Sequence, residues 1–162
     1  MHIKRLWLLL TLLAVVGAAS ALGACGSDSS TAAAAADVQF LSPKEFSVAD
    51  YAGKPLVVNY FGSWCGPCNA EAPDLAAFSK AQKGKAAFVG VAVDDTQSDV
   101  VDFMSKYGLT YPVVLDDNSL GAADGITGVP TTIFYDAGGQ EVDRIVGAAS
   151  LERFTTSLAK AQ

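Results

Sequence analysis

Leu56-Val57-Val58-Asn59-Tyr60-Phe61-Gly62-Ser63-Trp64-Cys65-Gly66-Pro67-Cys68 decides how this chain is read. Its first six residues are an apolar run broken only by Asn59, which predicts a strand buried on both faces. The segment that follows, Asn69 to Lys80, reads as a helix, so Cys65 and Cys68 fall at a strand-to-helix junction. Residues three apart at a helix start lie on one side of the first turn, which brings two sulfurs within reach of a disulfide. A helix N-terminus favours negative charge, so Cys65 is expected to ionise easily. A thiolate beside a second thiol is the working unit of dithiol–disulfide exchange. In that chemistry Cys65 is the expected nucleophile, nearest solvent, and Cys68, one turn further in, resolves the mixed disulfide. Pro67 stiffens the loop where a missing amide leaves nothing unsatisfied. Gly66 keeps bulk away from the sulfurs, and Trp64 offers a flat apolar wall. A purely structural disulfide explains the pair poorly, because so short a loop constrains the unfolded chain little.

Composition removes several other chemistries. His2 is the only histidine in the chain, so residues 37–162 cannot run a Ser-His-Asp or Cys-His mechanism. Asn69 follows Cys68 where a covalent haem site needs histidine, and no further ligands stand at a spacing that suits tetrahedral zinc. No metal and no cofactor are therefore expected. From residue 25 onward nine basic residues face seventeen acidic ones, a net charge of −8 with no basic cluster, which argues against nucleic acid as a partner.

The N-terminus reads as a targeting segment. Lys4 and Arg5 precede the apolar stretch Leu6 to Val16, which is too short to span a bilayer well. Leu22-Gly23-Ala24-Cys25 then resembles the lipobox of bacterial lipoproteins, in which the cysteine is lipidated and becomes the mature N-terminus. That resemblance implies a signal peptide over 1–24, lipidation at Cys25 and a place on the extracytoplasmic face of the cell membrane. An ordinary signal peptide cut near Ala24 would instead leave Cys25 a free thiol, and a retained helical anchor is a third reading. Residues 25–36 are poor in large apolar side chains and read as a flexible tether. Residues 37–162 suit one domain.

Within that domain short apolar runs alternate with amphipathic stretches. Val38 to Phe40 reads as an edge strand and Ser47 to Tyr51 as a helical turn. Gly66 to about Gln82 reads as a helix with Leu75 and Phe78 inward and a kink at Pro73. A strand over Ala86 to Val93 precedes a helix over Ser98 to Tyr107 that turns Val100, Val101 and Met104 to one face. A strand at Val113 to Leu115 and a helical turn at Ser119 to Asp124 follow. Thr131 to Tyr135 and Glu141 to Val146 flank Asp136-Ala137-Gly138-Gly139, a hairpin signal. Ser150 can cap a last helix reaching about Ala161. Alternation followed by a hairpin predicts a three-layer α/β domain whose mixed central sheet is flanked by helices. Asp94-Asp95 reads as a strand-end turn rather than a metal site.

Val57 to Cys68, taken with Gly128-Val129-Pro130-Thr131-Thr132, resembles the thioredoxin superfamily over nearly all of residues 38–160. The resemblance implies a cis Pro130 facing the cysteine pair, a Cys65–Cys68 redox disulfide, and a Val129 backbone offered to an extended substrate chain. The match is closer to the membrane-tethered TlpA/ResA/CcmG-like branch. Cys68-Asn69-Ala70-Glu71-Ala72-Pro73 carries it, together with Asp94 to Pro112, which resembles that branch's inserted helix and strand. Thioredoxin's buried aspartate is matched here by Asn59, which cannot take a proton. Glu71, three residues after Cys68, becomes the candidate to exchange protons with Cys68, its pKa raised by partial burial; the alternative is a solvent-facing carboxylate.

The function implied is an extracytoplasmic thiol–disulfide oxidoreductase that reduces disulfides in exported proteins, with cytochrome c maturation as one setting. Its expected partners are exported protein thiols or disulfides and a membrane thiol-electron donor or acceptor, and it is expected to be a monomer. The alternative direction is an oxidase that forms disulfides. A thiol peroxidase fits less well, since Ser63-Trp64 does not match the Thr-x-x-Cys setting of that class. A non-catalytic binding lipoprotein would show no disulfide reduction at all.

Overall fold

The structure is a computed structural model that describes residues 38–162; the expected signal peptide, Cys25 and the tether lie outside the described residues. The strands are β1 (Phe40–Leu41), β2 (Leu56–Phe61), β3 (Ala87–Val93), β4 (Val113–Asp116), β5 (Thr131–Tyr135) and β6 (Glu141–Val146). The helices are α1 (Gly66–Ala81), α2 (Gln97–Tyr107), α3 (Ser119–Ala123) and α4 (Leu151–Leu158). One sheet forms in the order β1-β4-β3-β2-β5-β6. β1 to β4 run parallel, and β5 and β6 join antiparallel as a hairpin. β2 lies between β3 and β5, and all six of its residues are buried, as a continuous apolar run requires.

The alternation of side chains along β2 divides the core in two. Val57 and Phe61 face α1, α2 and α4, where they meet Leu75, Phe78, Phe103, Met104 and Phe154. Val58 and Tyr60 face the other way, toward Phe46, Leu120, Ile126 and Ile133. That second outer layer is thin, made of two 3-10 turns (Pro43–Glu45 and Val48–Tyr51) and the short α3.

Most expected elements stand where the sequence puts them, and the differences are local. β1 begins two residues later than expected, because only Phe40 and Leu41 pair with Val113 and Val114. α2 starts at Gln97 because the Thr96 hydroxyl accepts from the Asp99 N–H at 3.2 Å. Its inward face uses Phe103 beside Val100 and Met104, while Val101 is only half-buried. α2 ends at Gly108, whose left-handed φ of 68° lets its N–H bond back to Met104. Pro73 sits on the exposed side of a continuous α1. Ser150 caps α4 by accepting from the Arg153 N–H at 3.3 Å.

Candidate active site

β2 delivers the chain to the site and α1 carries it away. Cys65 is the N-cap of α1, and the Cys68 N–H donates to its Sγ at 3.2 Å. A disulfide joins Cys65 to Cys68, with their Cα atoms 5.2 Å apart. The free N–H groups of a first helical turn favour negative charge, so this frame stabilises a Cys65 thiolate once the bond is reduced. The order of exposure is as expected but the margin is narrow, with Cys65 at 4% and Cys68 at 1%. Cys65 is covered because its Sγ lies 3.6 Å from the Val129 carbonyl oxygen. The Val129–Pro130 peptide is cis, and the Gly147 N–H donates to the Pro130 carbonyl at 2.8 Å, tying that loop to the end of β6.

Trp64, at the expected side of the cysteine turn, is exposed at 61%. Its indole N–H donates to the Val93 carbonyl at 3.2 Å, and its ring lies against Gly62, where a Cβ would come within 2.6 Å of it. Gly62 is therefore the residue that lets the tryptophan lie down beside the cysteine loop. Gly66 and Pro67 form the exposed first turn of α1, between the two sulfurs.

Glu71 is buried, with 3% exposure, so the solvent-facing alternative does not hold. The Asn59 Nδ2 donates to Glu71 Oε1 at 3.0 Å and the Ala149 N–H donates to Oε2 at 3.1 Å. Burial pushes the Glu71 pKa up to about 7, against the two N–H donors, which favour the charged form. A carboxyl that changes charge near neutral pH therefore sits one turn along α1 from Cys68. Asn59 is more than an absent carboxylate: its amide is bonded to Glu71, the carboxyl expected to exchange protons in its stead.

Two further residues hold the cysteine loop, and the sequence alone assigns that role to neither. Asp95, just after β3, accepts from the Ser63 N–H at 2.6 Å and the Ser63 hydroxyl at 2.8 Å. The signal for it is topological, since β2 and β3 run parallel and end at the same edge of the sheet. Asn69 donates to the Ser63 and Cys65 carbonyls at 2.8 and 2.9 Å, and accepts from the Tyr107 hydroxyl at 2.8 Å and Lys106 Nζ at 3.3 Å. The residue that excludes haem attachment thus links the cysteine turn to α2. Among the described residues no cluster of His, Cys, Asp or Glu could hold a metal ion.

The sequence pattern of the Redoxin family matches residues 29–161. The thiol-disulfide oxidoreductase ResA of Bacillus thuringiensis (strain Al Hakam) is 30% identical over 122 residues, which are 74% of this chain and 70% of that protein. Among solved structures, a secreted Mycobacterium tuberculosis disulfide oxidoreductase homologous to E. coli DsbE shares 30% identity with a TM-score of 0.64, covering 70% of this chain and 87% of that one. A thiol:disulfide interchange protein of the thioredoxin family from Chlorobium tepidum TLS shares 36% identity with a TM-score of 0.65, covering 72% of this chain and 85% of that one.

Proposed function

This chain belongs to the Redoxin family and is a thiol–disulfide oxidoreductase of the ResA/DsbE type, and from that premise we propose that it reduces disulfides in exported proteins on the outer side of the cell membrane. The observation that carries the reading is the Cys65–Cys68 pair at the N-terminus of α1, packed against the Val129 carbonyl. In the dithiol form the Cys65 thiolate attacks a substrate disulfide. The Cys65–substrate bond forms, the substrate S–S bond breaks, and the leaving sulfur departs as a thiolate that takes a proton from water. Cys68 gives its proton to the Glu71 carboxylate and attacks Cys65 Sγ. The Cys65–Cys68 bond forms, the mixed disulfide breaks and the second substrate sulfur leaves reduced. Two electrons pass from the dithiol to the substrate, and a membrane thiol-electron donor must return them. Val129 offers its backbone to the substrate chain, with Pro130, Trp64, Gly66 and Pro67 shaping the contact.

Location rests on the N-terminal sequence. We propose a signal peptide over 1–24, a lipid on Cys25 and a tether over 25–36, with 37–162 as the catalytic domain. Among the described residues no helix is long and apolar enough to cross a membrane, and the similar M. tuberculosis protein is secreted. Cytochrome c maturation is one setting we propose for its substrates. Cys25→Ala should release the protein from membranes without loss of activity.

Cys68→Ser tests the chemistry: it should hold substrates on Cys65 as mixed disulfides, while Cys65→Ser holds none. Trapping by neither variant sinks the reading. The opposite direction, disulfide formation, draws support from the Cys68 N–H on Cys65 Sγ, because stabilising the thiolate makes the disulfide more oxidising. A measured potential near roughly −270 mV supports the reductase and one near roughly −120 mV the oxidase.

A further inference from the structure

Asn59 has one side-chain NH2, and both of its hydrogens are engaged. One points to Glu71 Oε1 at 3.0 Å and the other to Thr132 Oγ1 at 2.9 Å. Thr132 lies directly across from Asn59 in the β2–β5 ladder, so backbone pairing holds this contact. With the Ala149 N–H on Oε2, each carboxylate oxygen of Glu71 receives a donor. That arrangement suits the anion. It suits the acid less well, because N–H donors favour the charged form, and a proton placed on the lone pair that an N–H already uses has to displace that donor.

The two donors differ in what they can do about this. The Ala149 N–H is backbone and cannot change sign, so Oε2 stays an acceptor and the proton is directed to Oε1. A side-chain amide can turn end for end, exchanging its NH2 for its oxygen in nearly the same volume. A hydroxyl such as that of Thr132 can accept in one state and donate in the other. We infer that Asn59 is the positioning residue for proton transfer at this site: its amide donates to the Glu71 carboxylate and to Thr132, and it reverses when Oε1 takes a proton, so that Asn59 Oδ1 accepts from Glu71 Oε1–H and from the Thr132 hydroxyl. The inference rests on Glu71 exchanging protons with Cys68. No proton moves in the reversal itself; the Cys68 thiol supplies it and Glu71 keeps it until the thiol is reformed.

Among the described residues, the charged group nearest along α1 is Asp74, one turn beyond Glu71, whose carboxylate accepts from the Leu151 N–H at 3.3 Å rather than from the Glu71 donors. The same helix brings Cys65 and Cys68, which do not titrate while they are bonded to each other. Tyr111, just before β4, feels the Glu71 charge, but burial holds its phenol neutral well beyond the working range. β2 and β5 present Asn59 and Thr132, the turn before α4 presents only a backbone N–H, and Glu152 and Arg153 at the start of α4 are exposed.

The test is NMR on the oxidised full domain, where the cysteines are silent. With ¹³C-labelled glutamate, the Glu71 carboxyl carbon should titrate near neutrality. The NOE from the Asn59 amide protons to Thr132 Hβ should be present about two pH units above that midpoint and lost about two units below it. An NOE of equal strength on both sides overturns the reversal while leaving Glu71 a proton acceptor. Asn59→Leu should raise the proton affinity of Glu71 about tenfold, because the bond lost by the anion is charge-assisted and the one lost by the acid is neutral. A midpoint unmoved in that variant overturns the positioning role. If Glu71 does not titrate between about pH 5 and about pH 9 in the native protein, the Glu71 reading itself fails, and this inference with it.

Discussion

Asn59 and Tyr60 are neighbours on β2, yet they hold opposite kinds of polar contact on opposite faces of the sheet. Asn59 meets Glu71, a buried carboxyl whose pKa is lifted by burial to about 7. Tyr60 donates its hydroxyl to the Asp124 carboxylate, and burial first, then that carboxylate, drive its pKa far above any working pH. Both contacts are hydrogen bonds to an acid, the first buried and the second partly buried. Burial brings the Glu71 carboxyl to a proton equilibrium near neutrality, whereas it holds the Tyr60 phenol neutral. A buried polar group becomes a device when its two protonation states lie close in free energy, and a strut when they lie far apart.

The largest effect expected from this contrast is in stability. Glu71 binds its proton more tightly folded than unfolded, so the folded state carries the extra proton between the ordinary 4.5 and about 7. Stability is therefore greatest below the lower value and falls as pH rises through the window, by on the order of 3 kcal/mol in all. Urea melts of oxidised protein across this range should show that fall, and Glu71→Gln should flatten it. A slope that survives the substitution would place the titrating group elsewhere.

Next in size is catalysis. Glu71→Gln should slow resolution of the mixed disulfide about a hundredfold and remove the neutral inflection of its pH profile, measured by stopped-flow release of substrate thiol. Tyr60→Phe should leave that rate and profile unchanged. Its cost should appear instead as about 1.5 to 3 kcal/mol of stability, without pH dependence near neutrality, because Asp124 loses a donor. A Tyr60→Phe variant that altered the rate profile would break the contrast. At the bottom of the scale, Lys160→Ala removes an exposed pair with Asp143 at 2.8 Å and should change the melting free energy by no more than about 0.5 kcal/mol.

Local signals made much of this molecule legible from sequence. β2 follows from its apolar run, β5 and β6 from the Gly-Gly turn they flank, and α1 from the cysteine pair at its start. The resemblance at Val129-Pro130 located the loop over Cys65. What stayed hidden depends on partners far apart in the chain. Asp95 meets Ser63 across 32 positions and Asn59 meets Thr132 across 73. Asp95 therefore looked like a plain turn residue, and Asn59 like a mere absence. Phe103 displaced Val101 from the inward face of α2 because helix phase is set by what α2 packs against. The small exposure of Cys65 follows from the Val129 carbonyl, which no local pattern reveals.

The register of the sheet also fixes where the chain enters the domain. Phe40 is level with Val113, Val113 with Gly90, and Gly90 with Asn59. Val38 thus enters level with Val57, near the beginning of β2, and the chain runs from there toward the cysteine end. With the proposed anchor at Cys25, the lipid pulls on the pole opposite the sulfurs, through a tether able to reach at most about 40 Å. The proposed attachment would thus leave the reactive pole at the far end of the domain from the tether, free for exported clients. On the proposed reading, a membrane thiol-electron donor would have to be met by the pole of the domain farthest from where the tether enters.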